Sequence, residues 1–335
     1  DNNPNKPNQL KLSSKLQNTV GNHIRNSSFE AADIYWSPNW SAISASQTTE
    51  EAYIGSYSLK VVNTYPGTPA LLGPGIYVAP NETITYSVYV KTADVTCRIG
   101  LHDYVNGVEH CFGPYVETNS GWVRTQVSYT NETGVNQYFN VCLFTETVGT
   151  VYMDCVQVEK AVTASRYNLV DNGDFRHTLY GWTNSGGYTH TSTTPAAKTL
   201  ESSVYKVTGS PTAQKRLIQT VNTSGSKDDT YVVSGWAKGE SAPLTNLNES
   251  ETTTRQFAIM GTFNYTDGTN KEFIAQFNPD TDQWQYAAQM MVAEKDYSSI
   301  TVQIAYDYNV NTVYFDGIQL YKEEFGSSYT YDDKG

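Results

Sequence analysis

Two eight-residue stretches decide how this chain is organised: Val151-Tyr152-Met153-Asp154-Cys155-Val156-Gln157-Val158 and Val313-Tyr314-Phe315-Asp316-Gly317-Ile318-Gln319-Leu320. They match in apolar pattern and in the single aspartate, at a separation of 162 residues. Working outward, Trp122 recurs as Trp284 at that same separation. Thr85-Tyr86-Ser87-Val88-Tyr89-Val90-Lys91 recurs as Thr230-Tyr231-Val232-Val233-Ser234-Gly235-Trp236-Ala237-Lys238, with Lys91 and Lys238 147 apart. Asn26-Ser27-Ser28-Phe29-Glu30 with Trp36 recurs as Asn172-Gly173-Asp174-Phe175-Arg176 with Trp182, its two Phe residues 146 apart. An insertion of about 15 residues explains the jump in offset, and the polar run Gly239–Arg255 reads as the surface loop that holds it. A fixed-period self-match of this kind marks duplicated units. The expected organisation is a linker at 1–19, a first unit at 20–161, a linker at 162–166, a second unit at 167–324, and the start of a following repeat region at 325–335.

Within each unit the apolar period is two. Tyr86, Val88 and Val90 alternate with Ser87, Tyr89 and Lys91, and Val123, Val127 and Tyr129 continue in the same manner, as half-buried strands require. Turn signals at Asn106-Gly107, Asp267-Gly268, Pro66-Gly67 and Asn119-Ser120-Gly121 separate short runs rich in Tyr, Val and Thr. The predicted class is all-β, with two tandem antiparallel β-sandwiches and no long helices.

Charged residues make up only 17% of the 335, so polarity comes mainly from Asn, Thr, Ser and Tyr, a surface suited to the outside of a cell. Twenty-two Lys and Arg against 34 Asp and Glu give a formal charge of −12, which speaks against a phosphate-backbone partner and predicts no nucleic-acid role. No apolar run is long enough to span a membrane, and the opening residues lack the apolar core of a signal peptide, so the chain reads as a piece of a longer exported protein. Cys97, Cys111, Cys142 and Cys155 show no metal or redox spacing. A tight hairpin at 147–150 would make Cys142 and Cys155 cross-strand neighbours, leaving two readings: a disulfide, or buried free thiols acting as small apolar groups.

The order Asn-x-x-Phe-Glu at 26–30, Trp36, Gly55-Ser56-Tyr57-Ser58-Leu59-Lys60-Val61, Thr85–Lys91, Gly121-Trp122 and Tyr152–Val156 resembles the carbohydrate-binding modules of families 4, 9, 16 and 22. Those are β-jelly rolls similar to the galactose-binding-like fold. The second unit departs from the pattern at Arg176, in place of Glu30, and at Ser203–Val207, which lacks the glycine. The ending Tyr331-Asp332-Asp333-Lys334-Gly335 resembles the opening of a tyrosine-aspartate repeat of RHS-type surface proteins, which implies a secreted or cell-wall-associated bacterial parent with neighbouring domains.

The modular resemblance implies a structural calcium held by Asp154 and Asp316, with Glu30 and Glu51 nearby in the first unit. Oxygen donors are what calcium demands. The competing role for Asp154 is to accept backbone N–H bonds at a strand bulge or to pair with Lys60. For a glycan or cell-wall polysaccharide, strand alternation places Tyr89 with Lys91 on one outward face, and Trp236 with Lys238 on its counterpart. The neighbouring run offers Arg98, His102 and Tyr104 opposite Ile99 and Leu101, and the corresponding run of the second unit is expected to present Phe263 and Tyr265 there.

Catalysis finds no support in the motifs: the five histidines lack HExxH spacing, and neither a nucleophile-elbow nor a phosphate-loop pattern occurs. The seven Asn-x-Ser/Thr sites, at Asn26, Asn39, Asn81, Asn131, Asn222, Asn248 and Asn264, read as by-products of an Asn- and Thr-rich composition. The expected role is therefore non-catalytic glycan binding, with a structural spacer or protein-binding segment as the alternative.

Overall fold

A computed structural model describes residues 21–323, apart from 69, 104–107, 186–188, 192–202 and 241–254. Ten strands form the first unit: β1 (Ser37–Pro38), β2 (Ile43–Thr48), β3 (Ser58–Asn63), β4 (Ala70–Val78), β5 (Thr83–Thr92), β6 (Cys97–Asp103), β7 (Val108–Phe112), β8 (Ser120–Thr130), β9 (Gln137–Thr145) and β10 (Gly149–Glu159). Ten more form the second: β11 (Thr183–Ser185), β12 (Thr189–Thr191), β13 (Val204–Thr208), β14 (Arg216–Val221), β15 (Thr230–Gly239), β16 (Gln256–Tyr265), β17 (Asn270–Gln276), β18 (Gln285–Val292), β19 (Tyr297–Asp307) and β20 (Thr312–Glu323). Each unit stacks two five-stranded antiparallel sheets. Their orders, β1-β4-β9-β6-β7 with β2-β3-β10-β5-β8, and β11-β14-β19-β16-β17 with β12-β13-β20-β15-β18, are identical position by position. Tandem jelly-roll sandwiches are thus what the chain forms, each with its own apolar core.

The octapeptide that revealed the repeat owes its pattern to a β-bulge. Val151 and Met153 face the core, the ladder to β5 then slips between Asp154 and Gln157, and Val156 and Val158 face the core beyond it. One extra residue reverses which parity points inward. The same slip between Ser234 and Trp236 on the β15 side lets Val313 and Phe315, then Ile318 and Leu320, line the second core. At each bulge the aspartate accepts the next residue's N–H: Cys155 to Asp154 Oδ1 at 2.7 Å, Gly317 to Asp316 Oδ1 at 2.8 Å. Cys155 and Gly317 adopt φ of 53° and 57°, the left-handed region that glycine tolerates best.

The motif Asn is equally structural. Asn26 donates to the carbonyls of Ala31 and Asp33 and accepts from Ala31 N–H, while Asn172 donates to Thr178 and Tyr180 and accepts from His177 N–H. It closes the loop that carries Phe29 or Phe175 into the core.

Two expectations fail on strand geometry. Cys142 lies on β9 and Cys155 on β10, strands of different sheets, so they are not cross-strand neighbours, and none of the four cysteines is joined in a disulfide. Phe263 and Tyr265 do not face outward: they share Ile259's parity and are 0% and 5% exposed in the second core.

The sandwiches dock through buried polar contacts. Ser27 Oγ and Tyr167 OH lie 2.6 Å apart, Asn168 N–H donates to Gln157 Oε1 at 2.9 Å, and the Arg25 guanidinium sits 3.8 Å from the Tyr35 ring centroid and 6.0 Å from that of Tyr180. The connecting residues are laid onto the first unit, with Ser165 N–H on Glu159 and Ala164 N–H on Gln126.

Candidate functional site

A cleft of about 520 Å³ opens between the two sandwiches. From the first unit come Tyr89 on β5, Arg124 on β8 and the loop Tyr53-Ile54-Gly55; from the connecting segment comes Arg166, and from the second unit Tyr167, Tyr231 and Lys322. Strand alternation explains the first group: Val88 and Val90 are fully buried in the core, so Tyr89 and its cross-strand partner Arg124 point away from it. The Tyr53 ring stacks on Tyr89 with centroids 3.8 Å apart and planes 16° from parallel, and Trp122 approaches Tyr53 at 5.9 Å. Arg124 lies 5.7 Å from the Tyr89 centroid and donates to Ser87 Oγ at 3.0 Å.

Tyr89 therefore lies on the predicted outward face, but not as an open platform, because the loop ahead of β3 crosses that face. Lys91 is bound by Glu51 at 2.7 Å, and Lys60 by Glu50 at 2.7 Å, with Tyr152 also donating to Glu50. Glu51 is thus engaged by Lys91, and Lys60 pairs with Glu50 rather than with Asp154. On the second unit Trp236 packs against Tyr286, its cross-strand neighbour, at 5.3 Å, and Lys238 stands opposite Tyr314. This face repeats the first one position for position.

Arg98 and His102 occupy a different sheet, the outer face of β6, so sequence adjacency to Lys91 did not place them beside Tyr89. Arg98 caps the Phe112 ring at 3.6 Å and pairs with Glu146 at 3.2 Å. His102 is opposite Asn140 on β9, and Tyr104 lies outside the described residues. Gly100 sits between them because an added Cβ would come within 3.0 Å of both the Phe112 and Phe144 rings.

The carboxylates expected to hold calcium are occupied by hydrogen-bond donors. Asp154 Oδ2 accepts Tyr53 N–H at 2.8 Å and Ile54 N–H at 3.0 Å, in addition to the Cys155 bond on Oδ1. Glu30 Oε1 accepts Ser56 and Tyr57 N–H, both at 2.9 Å. One loop thus turns amide N–H groups, not carbonyl oxygens, toward both side chains. Among the described residues no group of three or more His, Cys, Asp or Glu side chains converges as a metal site. This donor set does not fit a hard cation, which needs 6–8 oxygens by general rule. Burial pushes the Asp154 carboxyl up to about 7, with its three amide bonds acting the other way. Asp316 is likewise buried at its bulge, and Arg176, where the first unit has Glu30, pairs with Asp174.

The second-unit wall of the cleft is braced from behind. Lys322 pairs with Asp229 at 2.8 Å, and Tyr297 donates to Asp229 at 2.8 Å while its hydroxyl lies 2.7 Å from that of Tyr231. Burial opposes ionisation of Asp229, yet Lys322 and Tyr297 more than offset it and hold its carboxyl below the usual range. Arg166 pairs with Glu323. Sequence reasoning missed Tyr53, Arg124, Arg166 and Lys322. Only Arg124 carried a signal, through its position opposite Tyr89.

Residues 167–317 match the family model for a carbohydrate binding domain, CBM_4_9. The chain is 24% identical over 357 aligned residues to the tRNA nuclease WapA of Bacillus subtilis strain 168, and equally to the tRNA(Glu)-specific nuclease WapA of Bacillus subtilis subsp. natto. These alignments cover 98% of this chain and 15% of each relative, so the chain spans under a sixth of the curated relatives it matches. Among solved structures it is similar to the tandem CBM22-1–CBM22-2 domain of Paenibacillus barcinonensis Xyn10C, at 16% identity over 91% of this chain and 99% of that one, TM-score 0.34. It is also similar to a family 16 carbohydrate binding module, at 19% identity over 46% of this chain and 99% of that one, TM-score 0.35.

Proposed function

We propose that this chain is a non-catalytic saccharide-binding region of a larger extracellular protein, with the cleft between its two jelly rolls as the binding site. The observation that carries this reading is the cleft itself, whose rings and planar donors converge where two units meet. Stacked Tyr53 and Tyr89 offer an apolar face for the C–H side of a pyranose, and the guanidinium and hydroxyl groups around them suit its hydroxyls. The carbohydrate-binding pattern over 167–317 supports the same class of ligand. The relatives are named as tRNA nucleases; since this chain matches 15% of them, we assign it binding, and assign their chemistry to parts of those proteins beyond the match. A secreted or wall-associated parent with RHS-type repeats is part of the proposal and rests on the Tyr331–Gly335 resemblance, which lies outside the described residues.

The test is retention of the 335-residue chain on a panel of immobilised polysaccharides, compared with Tyr53→Ala and Tyr89→Ala. Truncating an aromatic anchor costs on the order of 2 kcal/mol, or about thirtyfold in affinity. Equal retention of both variants, or none of the wild type on any glycan, would refute the reading. The latter would favour the spacer alternative, which the loop lying across Lys60 and Lys91 already makes reasonable.

A further inference from the structure

The walls of the cleft specify which saccharides it takes, a step that rests on the saccharide reading above. With 34 acidic and 22 basic residues in the chain, a pocket assembled without bias would hold more carboxylates than cations. Among the described residues the lining holds Arg124, Arg166 and Lys322 and not one Asp or Glu. Arg166 and Lys322 are held by Glu323 and Asp229, neither of which lines the cleft.

Arg124 differs from both. Among the described residues it has no carboxylate within ion-pair reach; its Nη2 is on Ser87 Oγ, and its Nε is buried without a hydrogen-bond partner. Leaving a desolvated charged donor unmatched is costly, and the planar guanidinium is the side chain best suited to a carboxylate or phosphate. The same ring it lies over, Tyr89, is the one stacked with Tyr53, so an anion at Arg124 would sit beside a flat aromatic surface.

We propose that the cleft selects acidic saccharides, sugars that carry a carboxylate or phosphate, with the anion at Arg124 and the ring face against the tyrosine pair. Lys322 and Arg166 add a favourable field at the opposite wall. Nucleic acid would present the same anion, but a chain of net charge −12 with three cations in one cleft gives a sugar–phosphate backbone little to follow.

Calorimetric titration of the whole chain separates the outcomes. Probes are hexagalacturonate, phosphomannan, mannohexaose, polyaspartate and an eight-residue single-stranded RNA. Expected is at least tenfold tighter binding of hexagalacturonate or phosphomannan than of mannohexaose, weakening as salt is raised, and the preferred acidic probe reports whether carboxylate or phosphate is recognised. Arg124→Gln should lose at least tenfold on that probe and clearly less on mannohexaose, so that the preference for the acidic sugar narrows. Lys322→Gln, at an exposed position where folding is not at stake, should lose a few-fold. Mannohexaose binding as tightly as the acidic sugars overturns the selectivity and spares the saccharide reading; no sugar binding at all overturns both. Polyaspartate or RNA binding as tightly as the acidic sugars overturns the proposal, as does Lys322→Gln together with Arg124→Gln leaving every affinity within twofold.

Discussion

Replacing Asp154 with Ala tests whether this carboxyl is a hydrogen-bond hub or an ion. The substitution strips the acceptor from Tyr53, Ile54 and Cys155 N–H. At about 1 kcal/mol each, the lower end for an unsatisfied buried group, the loss is about 3 kcal/mol. Opposing it, burial raises the folded-state pKa from 3.8 to about 7. Between those values the folded chain keeps a proton that the unfolded chain releases, so the Asp154 contribution is fully present below about pH 4 and declines as pH rises toward 7. A shift of that size corresponds to on the order of 4 kcal/mol across the window. The destabilisation by Asp154→Ala should thus be largest near pH 4 to 5 and shrink toward pH 7 to 8. At the acidic end the melting temperature should fall by roughly 6–12 °C, at a few degrees per kcal/mol for a unit this size. Calorimetric melts of both proteins at four pH values, with and without EDTA, make the comparison, and subtracting the variant cancels the other titrating groups. A destabilisation that grows with pH from 4 to 7 would mean that the amide bonds outweigh burial and keep the carboxyl ionised, and a wild-type melt lowered by EDTA and restored by calcium would refute the hydrogen-bond role in favour of a cation.

Three further outcomes follow from local geometry. Gly173→Ala would set a methyl 2.1 Å from the Ile318 carbonyl oxygen, a backbone atom held in the interface with β20, so a loss of at least about 1–3 kcal/mol is expected in denaturant unfolding. Asp171, pushed up to about 7 by burial at the junction against the pull of Ser27 and Asn26 N–H, should weaken docking as pH rises from about 4 to 7; Asp171→Asn should flatten that dependence, while buried His23, whose pKa burial depresses, acts in the opposite sense below about pH 6.5 and is common to both proteins. Cys97, Cys142 and Cys155 should resist Ellman's reagent until the chain unfolds, since all are buried and desolvation lifts the Cys97 thiol to about 12; rapid native labelling of any of the three would contradict the packing.

The fold was legible because its determinants are local and doubled. Period-two alternation at 84–90 and the shared octapeptide each survive duplication, and the parity switch from Met153 to Val156 is written in the apolar pattern itself. The role of the aspartate within that octapeptide was half legible: a bulge and a metal site both call for a carboxylate, and only the direction of the loop amides at 53–57 separates them. Phe263 and Tyr265 misled because a one-residue register error exchanges core and surface. Lys91 and Arg98 are seven residues apart in sequence yet belong to different sheets, and strand periodicity carries no information about which sheet a strand joins.

The cleft was not legible for a deeper reason. A repeat comparison sets equivalent surfaces of the two copies side by side, whereas this site joins non-equivalent ones: Tyr89, Arg124 and the 53–55 loop from one, Tyr167 and Lys322 from around the ends of the other, with Arg166 from the connection between them. Its geometry depends on docking, and docking depends on residues such as Ser27 and Tyr167, Gln157 and Asn168, which occupy ordinary positions within their own copies. Ser27 stands where the second copy has Gly173, and Gln157 where it has Gln319. Gln is common to both copies at that position, whereas the Ser27/Gly173 difference gives one copy a hydroxyl for its neighbour. Divergence between the units is therefore not only loss of a shared motif. It supplies the complementary surfaces that fix one sandwich against the other and hold the tyrosine pair and the cations across a common opening.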